Sequence, residues 1–331
     1  MQLTQKKSRR GDLLTAAAVA MLLAVMAALL YTGSLTRQVT NMLIPTAVYI
    51  VMAVSLNLVV GLLGELSLGH AGFMSVGLFS GCLVAIALTN TALPLMVRLP
   101  VSMLAGGLTA AVFGLLVGLP TLRLRGDYLA IVTLACGEII KNIITNLHVT
   151  GGALGLNTSA IYAGAKELLP YGAALVLLTV AVMLNLKRSK YGRAIMAIRD
   201  NRIAAESVGL SVTRYKLAVF VIAAFFAGCA GVLYGHSLAN IKAAAFDYNM
   251  SIEILVIVVL GGMGSVPGSV VSAIVLTVLP EALREVADYR MLVYAVVLIL
   301  VMQATNNPAM KRFFGAACKS LTPKRKERAA L

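Results

Sequence analysis

Acidic residues are scarce in this 331-residue chain: 13 Asp and Glu stand against 28 Lys and Arg, and charged residues make up only 12%. The net charge of +15 invites a nucleic-acid partner. The basic residues, however, flank long apolar runs, and no soluble domain with stacking aromatics carries them. Topology and attraction to anionic membrane lipid account for the charge, so no nucleic acid is expected as a partner. Cysteine is sparse too. Cys82, Cys136 and Cys229 sit in apolar runs, where a thiol acts as a small hydrophobe, and Cys318 lies in the final basic segment. Without a C-x-x-C pair, neither a disulfide framework nor a cysteine metal site is indicated. His70, His148 and His236 are widely separated and form no H-E-x-x-H spacing, so no metal is expected. No G-x-x-x-x-G-K-[ST] loop occurs, which argues against ATP hydrolysis by this chain alone. No G-x-S-x-G elbow offers a hydrolytic serine.

What the chain has is apolar length. Hydrophobic residues make up 60% and the mean hydropathy is +0.90, far from soluble averages. At about 20 residues per membrane crossing, little remains for a soluble domain. The expected fold is an all-α polytopic membrane protein with about ten transmembrane helices. The spans read as 12–31, 41–63, 67–88, 99–120, 127–147, 169–186, 215–235, 250–262, 268–284 and 290–305. If both termini are cytoplasmic, the inside segments hold 21 of the 28 basic residues. Outside segments keep Arg37, Arg98, Lys166, Lys242, Arg284 and Arg290, with Lys141 inside a span. Basic loops resist translocation, so this asymmetry sets both orientation and span count. Residues 1–11 become a basic cytoplasmic start, 12–305 the membrane domain with a cytoplasmic loop at about 187–216, and 306–331 a basic cytoplasmic tail. The basic start and the apolar run after it resemble a signal peptide. The run is too long and has no clear A-x-A site, so an uncleaved first helix is expected.

Several segments break the pattern. The eighth and ninth spans are short and joined by the Gly-Gly-Met-Gly-Ser-Val-Pro-Gly run at 261–268, and polar residues crowd the start of the third span at 65–72. Such features mark broken or re-entrant helices, tolerated where protein or a water-filled cavity satisfies the backbone. The loop-to-helix reading of residues 65–72 stays open. Gly77/Gly81, Gly114/Gly118 and Gly231/Gly235 allow close approach of helix backbones, within the bundle or with a second subunit. The runs 55–60 and 251–256 resemble one another, each leading to a glycine-rich turn, as in an internal duplication. Glu138 and Lys141, three apart on the fifth helix, can pair, and Glu253 opens the eighth span with room to snorkel outward. A short surface helix is expected within 150–170. In the inside loop, Asp200 or Asn201 can cap a helix whose Ile203, Ala204, Ser207 and Val208 form a small, shallow apolar face, with Gly209 placed to end it. That helix suits docking into another protein's groove, with an ordinary solvated loop helix as the alternative.

Seven segments in order carry a resemblance: 64–74 (Gly-Glu-Leu-Ser-Leu-Gly-His-Ala-Gly-Phe-Met), 122–134, 150–156, 192–201, 204–209, 225–234 and 259–265 (Val-Leu-Gly-Gly-Met-Gly-Ser). Together they resemble the membrane permeases of branched-chain amino-acid ABC importers, of the LivM type. The end departs from that pattern, since Arg-Pro-x-Gly-Leu is replaced by Gln303-Ala304-Thr305-Asn306-Asn307-Pro308. The resemblance implies a multi-pass protein of the bacterial inner membrane. Its partners would be a LivH-like permease, two ABC ATPase subunits that use ATP and Mg, and an extracytoplasmic solute-binding protein. The chain itself would bind no cofactor. The resemblance places ATPase coupling on Arg199, Asp200, Asn201, Ala204, Ala205, Glu206 and Gly209. The candidate substrate path comprises Ser67, Gly69, His70 and Gly72, then Glu138. The expected cargo is leucine, isoleucine and valine. Alternatives are urea, amides or other amino acids, and, from another class, an ion-coupled secondary carrier.

Overall fold

Uninterrupted apolar sequence makes helices because only a helix satisfies every backbone donor and acceptor within one segment. The computed structural model describes residues 2–32, 36–91, 94–124 and 126–282, with positions 296 and 299 beyond them. It divides into two units, residues 1–278 and 279–331. Among the described residues the helices are α1 (Gln2–Tyr31), α2 (Arg37–Asn57), α3 (His70–Ala87), α4 (Leu95–Thr121), α5 (Asp127–Asn146) and α6 (Ala165–Arg188). They continue with α7 (Lys190–Asp200), α8 (Arg202–Ser207), α9 (Val212–His236), α10 (Tyr248–Gly261) and α11 (Val266–Ala282). Among the described residues seven segments are long and apolar enough to cross a membrane, and the runs Ala16–Leu30 and Val266–Pro280 are shorter apolar helices. The chain is therefore an all-α polytopic membrane protein. The expected tenth span, 290–305, lies outside the described residues apart from two positions.

The helix starts and ends differ from hydropathy in instructive places. α2 runs on as a π-helical segment, Leu58–Leu63, closed by Gly64 at φ 79°. Glu65 to Gly69 then has no helical backbone, so the third span starts at His70 and not at residue 67. The expected surface helix at 150–170 is absent. Tight 3₁₀ turns stand there (Gly152–Leu154, Ser159–Ile161) with a two-residue strand, β1 (Leu156–Asn157), which pairs antiparallel with β2 (Asn240–Ile241). The run contains Gly151 and Gly155 at positive φ, which a helix cannot hold. Glu253 does not open its span, since α10 begins five residues earlier. It is partly buried and accepts a hydrogen bond from the Tyr49 hydroxyl at 3.3 Å, so it does not snorkel outward.

The span Arg37–Leu63, α2 with its π-helical continuation, has 89% of its most apolar window buried, whereas α5 buries only 28% of its own. Glycine fixes the packing of α3, α4 and α9. A Cβ on Gly228 would stand 2.5 Å from the Ala110 Cβ and 2.6 Å from the Gly106 carbonyl oxygen, closer than real atoms pack. The small-residue pairs are thus spent inside this chain: Gly114 meets Ala224, Gly118 meets Leu217, and Gly235 meets Cys82. Phe73 of α3 stacks edge-on against Phe220 of α9, their ring centres 5.3 Å apart, at the same seam.

Candidate functional site

The basic loop folds from local capping chemistry. Ser189 starts α7 by accepting from the Gly192 N–H at 3.0 Å. Of the two residues expected to cap the next helix, Asn201 does so: its backbone is extended and its Oδ1 accepts from the Ala204 N–H at 3.0 Å. Asp200 instead closes α7 and takes the Arg199 guanidinium at 3.0 Å. α8 ends where Gly209 turns to φ 84°, with Leu210 N–H donating to Ala205 O at 3.1 Å, a left-handed cap that glycine adopts without strain. One side of α8 buries Ala205 against Ile198 and Val212. The other side leaves Ile203, Ala204, Ser207 and Val208 exposed, the two larger side chains at 81% and 75%. Glu206 pairs with Arg202 at 2.9 Å along the flank. Of the seven coupling residues, Ala205 therefore faces the chain's own core. The arrangement is chemically inert and shaped as a small apolar ridge edged by charge.

The candidate path residues come together where α2, α3, α5 and α10 meet. Glu65 is ion-paired with Lys216 of α9, which holds the non-helical stretch against the bundle. Leu68 N–H donates to Thr133 Oγ1 at 3.1 Å. His70 Nε2 lies 2.8 Å from Ser55 Oγ, whose own proton goes to Met52 O at 3.0 Å. The Ser55 hydroxyl thus links the His70 ring to the backbone of α2. Ala71 N–H, at the open start of α3, donates to Ser251 Oγ at 3.2 Å. Gly69 and Gly72 let α3 approach α5: a Cβ on Gly72 would stand 2.9 Å from Gly137 Cα. Ser67 and His70 are buried, and Ser67 Oγ has no hydrogen-bond partner. A buried hydroxyl left alone costs about 1–3 kcal/mol, which marks the spot as polar interior that packing does not fully use.

Glu138 sits along the same seam, next to Gly137. It pairs with Lys141 as the spacing requires, and its Oε1 also accepts the Tyr248 N–H at 2.9 Å, tying α5 to the start of α10. The pair is partly exposed and not deep in the bundle. The best-buried ion pair among the described residues is Glu65–Lys216, which sequence reasoning missed. Asn57, Ser55, Thr133, Ser251 and Lys187 were missed as well. Polar side chains isolated within apolar runs were the available signal for Asn57, Ser55 and Thr133. No group of three His, Cys, Asp or Glu among the described residues could hold a metal ion.

Residues 38–302 match the family model described as branched-chain amino acid transport system / permease component. The chain is 36% identical over 296 residues to the high-affinity branched-chain amino acid transport system permease protein LivM of Salmonella typhimurium. It is 37% identical over 290 residues to the LivM protein of Escherichia coli. Each match covers 78% of this chain and 66% of the relative, just under two thirds of the relative's length. A shorter match, 31% over 126 residues, links it to the permease protein LivH of Salmonella typhimurium, covering 37% of this chain and 40% of that one. No solved structure matches the chain. With a family model covering most of its length, the chain belongs to the branched-chain amino acid transport system permease family.

Proposed function

We propose that the chain is the transmembrane permease subunit of an ATP-driven importer for leucine, isoleucine and valine. In this reading it pairs with a LivH-like permease. Two ABC ATPases, which hold ATP and Mg, sit below the pair, and an extracytoplasmic solute-binding protein delivers the cargo. The protein lies in the bacterial inner membrane with ten spans and both termini cytoplasmic. One observation carries the reading: a capped, two-turn helix in the basic loop exposes Ile203 and Val208 beside a charged flank, in a chain without a nucleotide-binding loop. Such a ridge suits a groove on an ATPase, with Arg199, Asp200, Asn201, Ala204, Glu206 and Gly209 shaping it and Ala205 anchoring it. The names of the relatives support the cargo. Ser67, Gly69, His70, Gly72 and Glu138 mark the part of the bundle nearest the path.

The test is uptake by proteoliposomes holding the complete complex and binding protein. Accumulation of leucine depends on ATP at the face of the 187–216 loop and survives an uncoupler. Accumulation by this chain alone, abolished when an ion gradient collapses, makes it a secondary carrier. Uptake of urea or short amides in place of leucine keeps the mechanism and replaces the cargo.

A further inference from the structure

Asn57 is the last residue of regular α2 and is fully buried within an apolar run. Its carboxamide reaches across to the turn between α10 and α11. Oδ1 accepts from the Gly264 N–H at 2.8 Å, while Nδ2 donates to Ser265 O at 3.2 Å and Ser269 Oγ at 2.8 Å. Directly after Asn57 the helix changes to π pitch, and Gly61 packs backbone to backbone on the turn: a Cβ there would stand 2.7 Å from Gly264 Cα. Two cations from the basic loop close the arrangement. Arg199 Nη1 donates to Gly61 O at 3.0 Å, and Lys187 Nζ donates to Gly264 O at 3.0 Å. The breaks in α2 and in α10–α11 are thus joined to each other by Asn57 and to the 187–209 segment by Arg199 and Lys187.

We propose that Asn57, Arg199 of α7 and Lys187 of the last turn of α6 form a latch that carries displacement of the end of α6 and the α7–α8 segment into the two helix breaks. They are positioning residues that set the inner end of the transport path. The inference rests on the reading of α8 as an ATPase-docking helix. The physical reason is a contrast in stiffness. α7 and α8 are held by their caps and by Ile198, Ala205 and Val212, so they move as a unit. The π segment and the turn with Gly262 at φ 88° and Gly264 at φ 82° are the compliant elements. A guanidinium fixed to a carbonyl of one compliant element, and an amide that binds both N–H and C=O of the other, transmit direction as well as distance. Leaving those partly buried backbone groups unpaired costs free energy, so the breaks follow the latch and do not detach from it.

The test uses the whole complex with its binding protein, comparing wild type with Asn57→Asp, Lys187→Gln and Arg199→Lys. Asn57→Asp keeps the acceptor for Gly264 and removes the donor to Ser265 and Ser269. Arg199→Lys keeps the charge and loses the planar fork. Asn57→Asp and Lys187→Gln, which lie outside the docking ridge, are expected to co-purify with the ATPases and to hydrolyse ATP near the wild-type rate, and co-purification and hydrolysis are scored on these two variants alone. Substrate moved per ATP falls about tenfold, the effect of losing roughly one buried hydrogen bond's worth of positioning. Hydrogen exchange gives the second readout. In wild type, exchange at residues 262–266 changes when the ATPases are trapped with a nucleotide analogue; in the variants that response is lost while docking still protects residues 202–208. An unchanged ratio of substrate to ATP, or loss of co-purification, overturns the latch and leaves the importer reading standing. Absence of both ATP-dependent uptake and protection of 202–208 in wild type removes the importer reading and the latch together.

Discussion

Replacing Lys216 by methionine tests how the non-helical stretch after α2 is held. Lys216 is 5% exposed and Glu65 14% exposed, and the two are paired where α9 starts beside residues 64–69. Methionine preserves most of the apolar stem and deletes the ammonium, so the change isolates charge from packing. Removing one partner of a buried pair costs about 3–5 kcal/mol because the other charge is left uncompensated. Glu65 retains some solvent contact, which places the expected loss near the lower bound, about 3 kcal/mol or a hundredfold in the folding equilibrium. Replacing both residues by methionine removes the orphaned charge, so the double variant recovers most of that loss and can exceed wild type. The assay is reversible equilibrium unfolding of the four proteins in detergent micelles, read as a double-mutant cycle. A Lys216→Met protein within about 0.5 kcal/mol of wild type refutes the reasoning, since that is the range of an uninvolved surface residue. A double variant as unstable as the single one refutes it equally.

Other outcomes follow from the same geometry. After replacement of the native cysteines, a cysteine at Tyr191 labels from the cytoplasmic face and one at Leu154 from the opposite face; both positions are exposed, and labelling from one face alone rejects the ten-span threading. Gly209→Val forces a β-branched residue to φ 84°, costing about 1–3 kcal/mol at the end of α8, and Glu206→Arg reverses the charge facing Arg202. Both leave membrane insertion intact and lower ATP-driven uptake, and full uptake with normal ATPase association in both removes the coupling role. Glu138→Gln keeps an acceptor for the Tyr248 N–H and costs under about 1 kcal/mol at this partly exposed pair, so uptake stays insensitive to an uncoupler. Wild-type uptake that an uncoupler abolishes, lost again in the glutamine variant, makes Glu138 an ion-coupling residue.

The long helices were legible because apolar length and backbone satisfaction are local properties. α5 was expected over 127–147 and runs Asp127–Asn146; α9 was expected over 215–235 and runs Val212–His236. The stretch 64–69 was legible in part: residues 64–66 fall between two expected spans and the loop-to-helix reading of 65–72 stood open, while 67–69 were counted within the third span. Leu66 and Leu68 are as apolar as their neighbours, and what unwinds them is remote: Thr133 binds Leu68 and Lys216 binds Glu65. The loop at 147–164 failed for a related reason, since its short strand needs β2, more than eighty residues later. The candidate site divides the same way. α8 could be read because its caps, Asn201 and Gly209, lie within a few residues of what they cap. Asn57 could not, because its partner Gly264 is 207 residues away and asparagine in a hydrophobic run names no partner.

The resemblance between runs 55–60 and 251–256 gains a physical meaning from this arrangement. Each leads from a membrane helix into a glycine-rich break, and the two breaks lie against each other at Gly61 and Gly264. Breaking a helix in an apolar surrounding strands carbonyl groups that water cannot reach. Here the donors come from Asn57, Arg199 and Lys187, two of which belong to the basic cluster that hydropathy threading counts only as topology. In the proposed topology those cations do two jobs that differ in what they require. Orientation needs only positive charge on the correct side, so lysine and arginine are interchangeable for it. Holding a buried carbonyl needs reach and geometry, which lysine and arginine do not share. Arg193, exposed on α7, bonds the Arg188 carbonyl at 3.3 Å, an exposed contact between neighbouring turns. Arg199 joins the basic loop to a break in the membrane helix. The charge pattern that makes the chain recognisable as a membrane protein thus also contains the few residues that connect its loop to its interior.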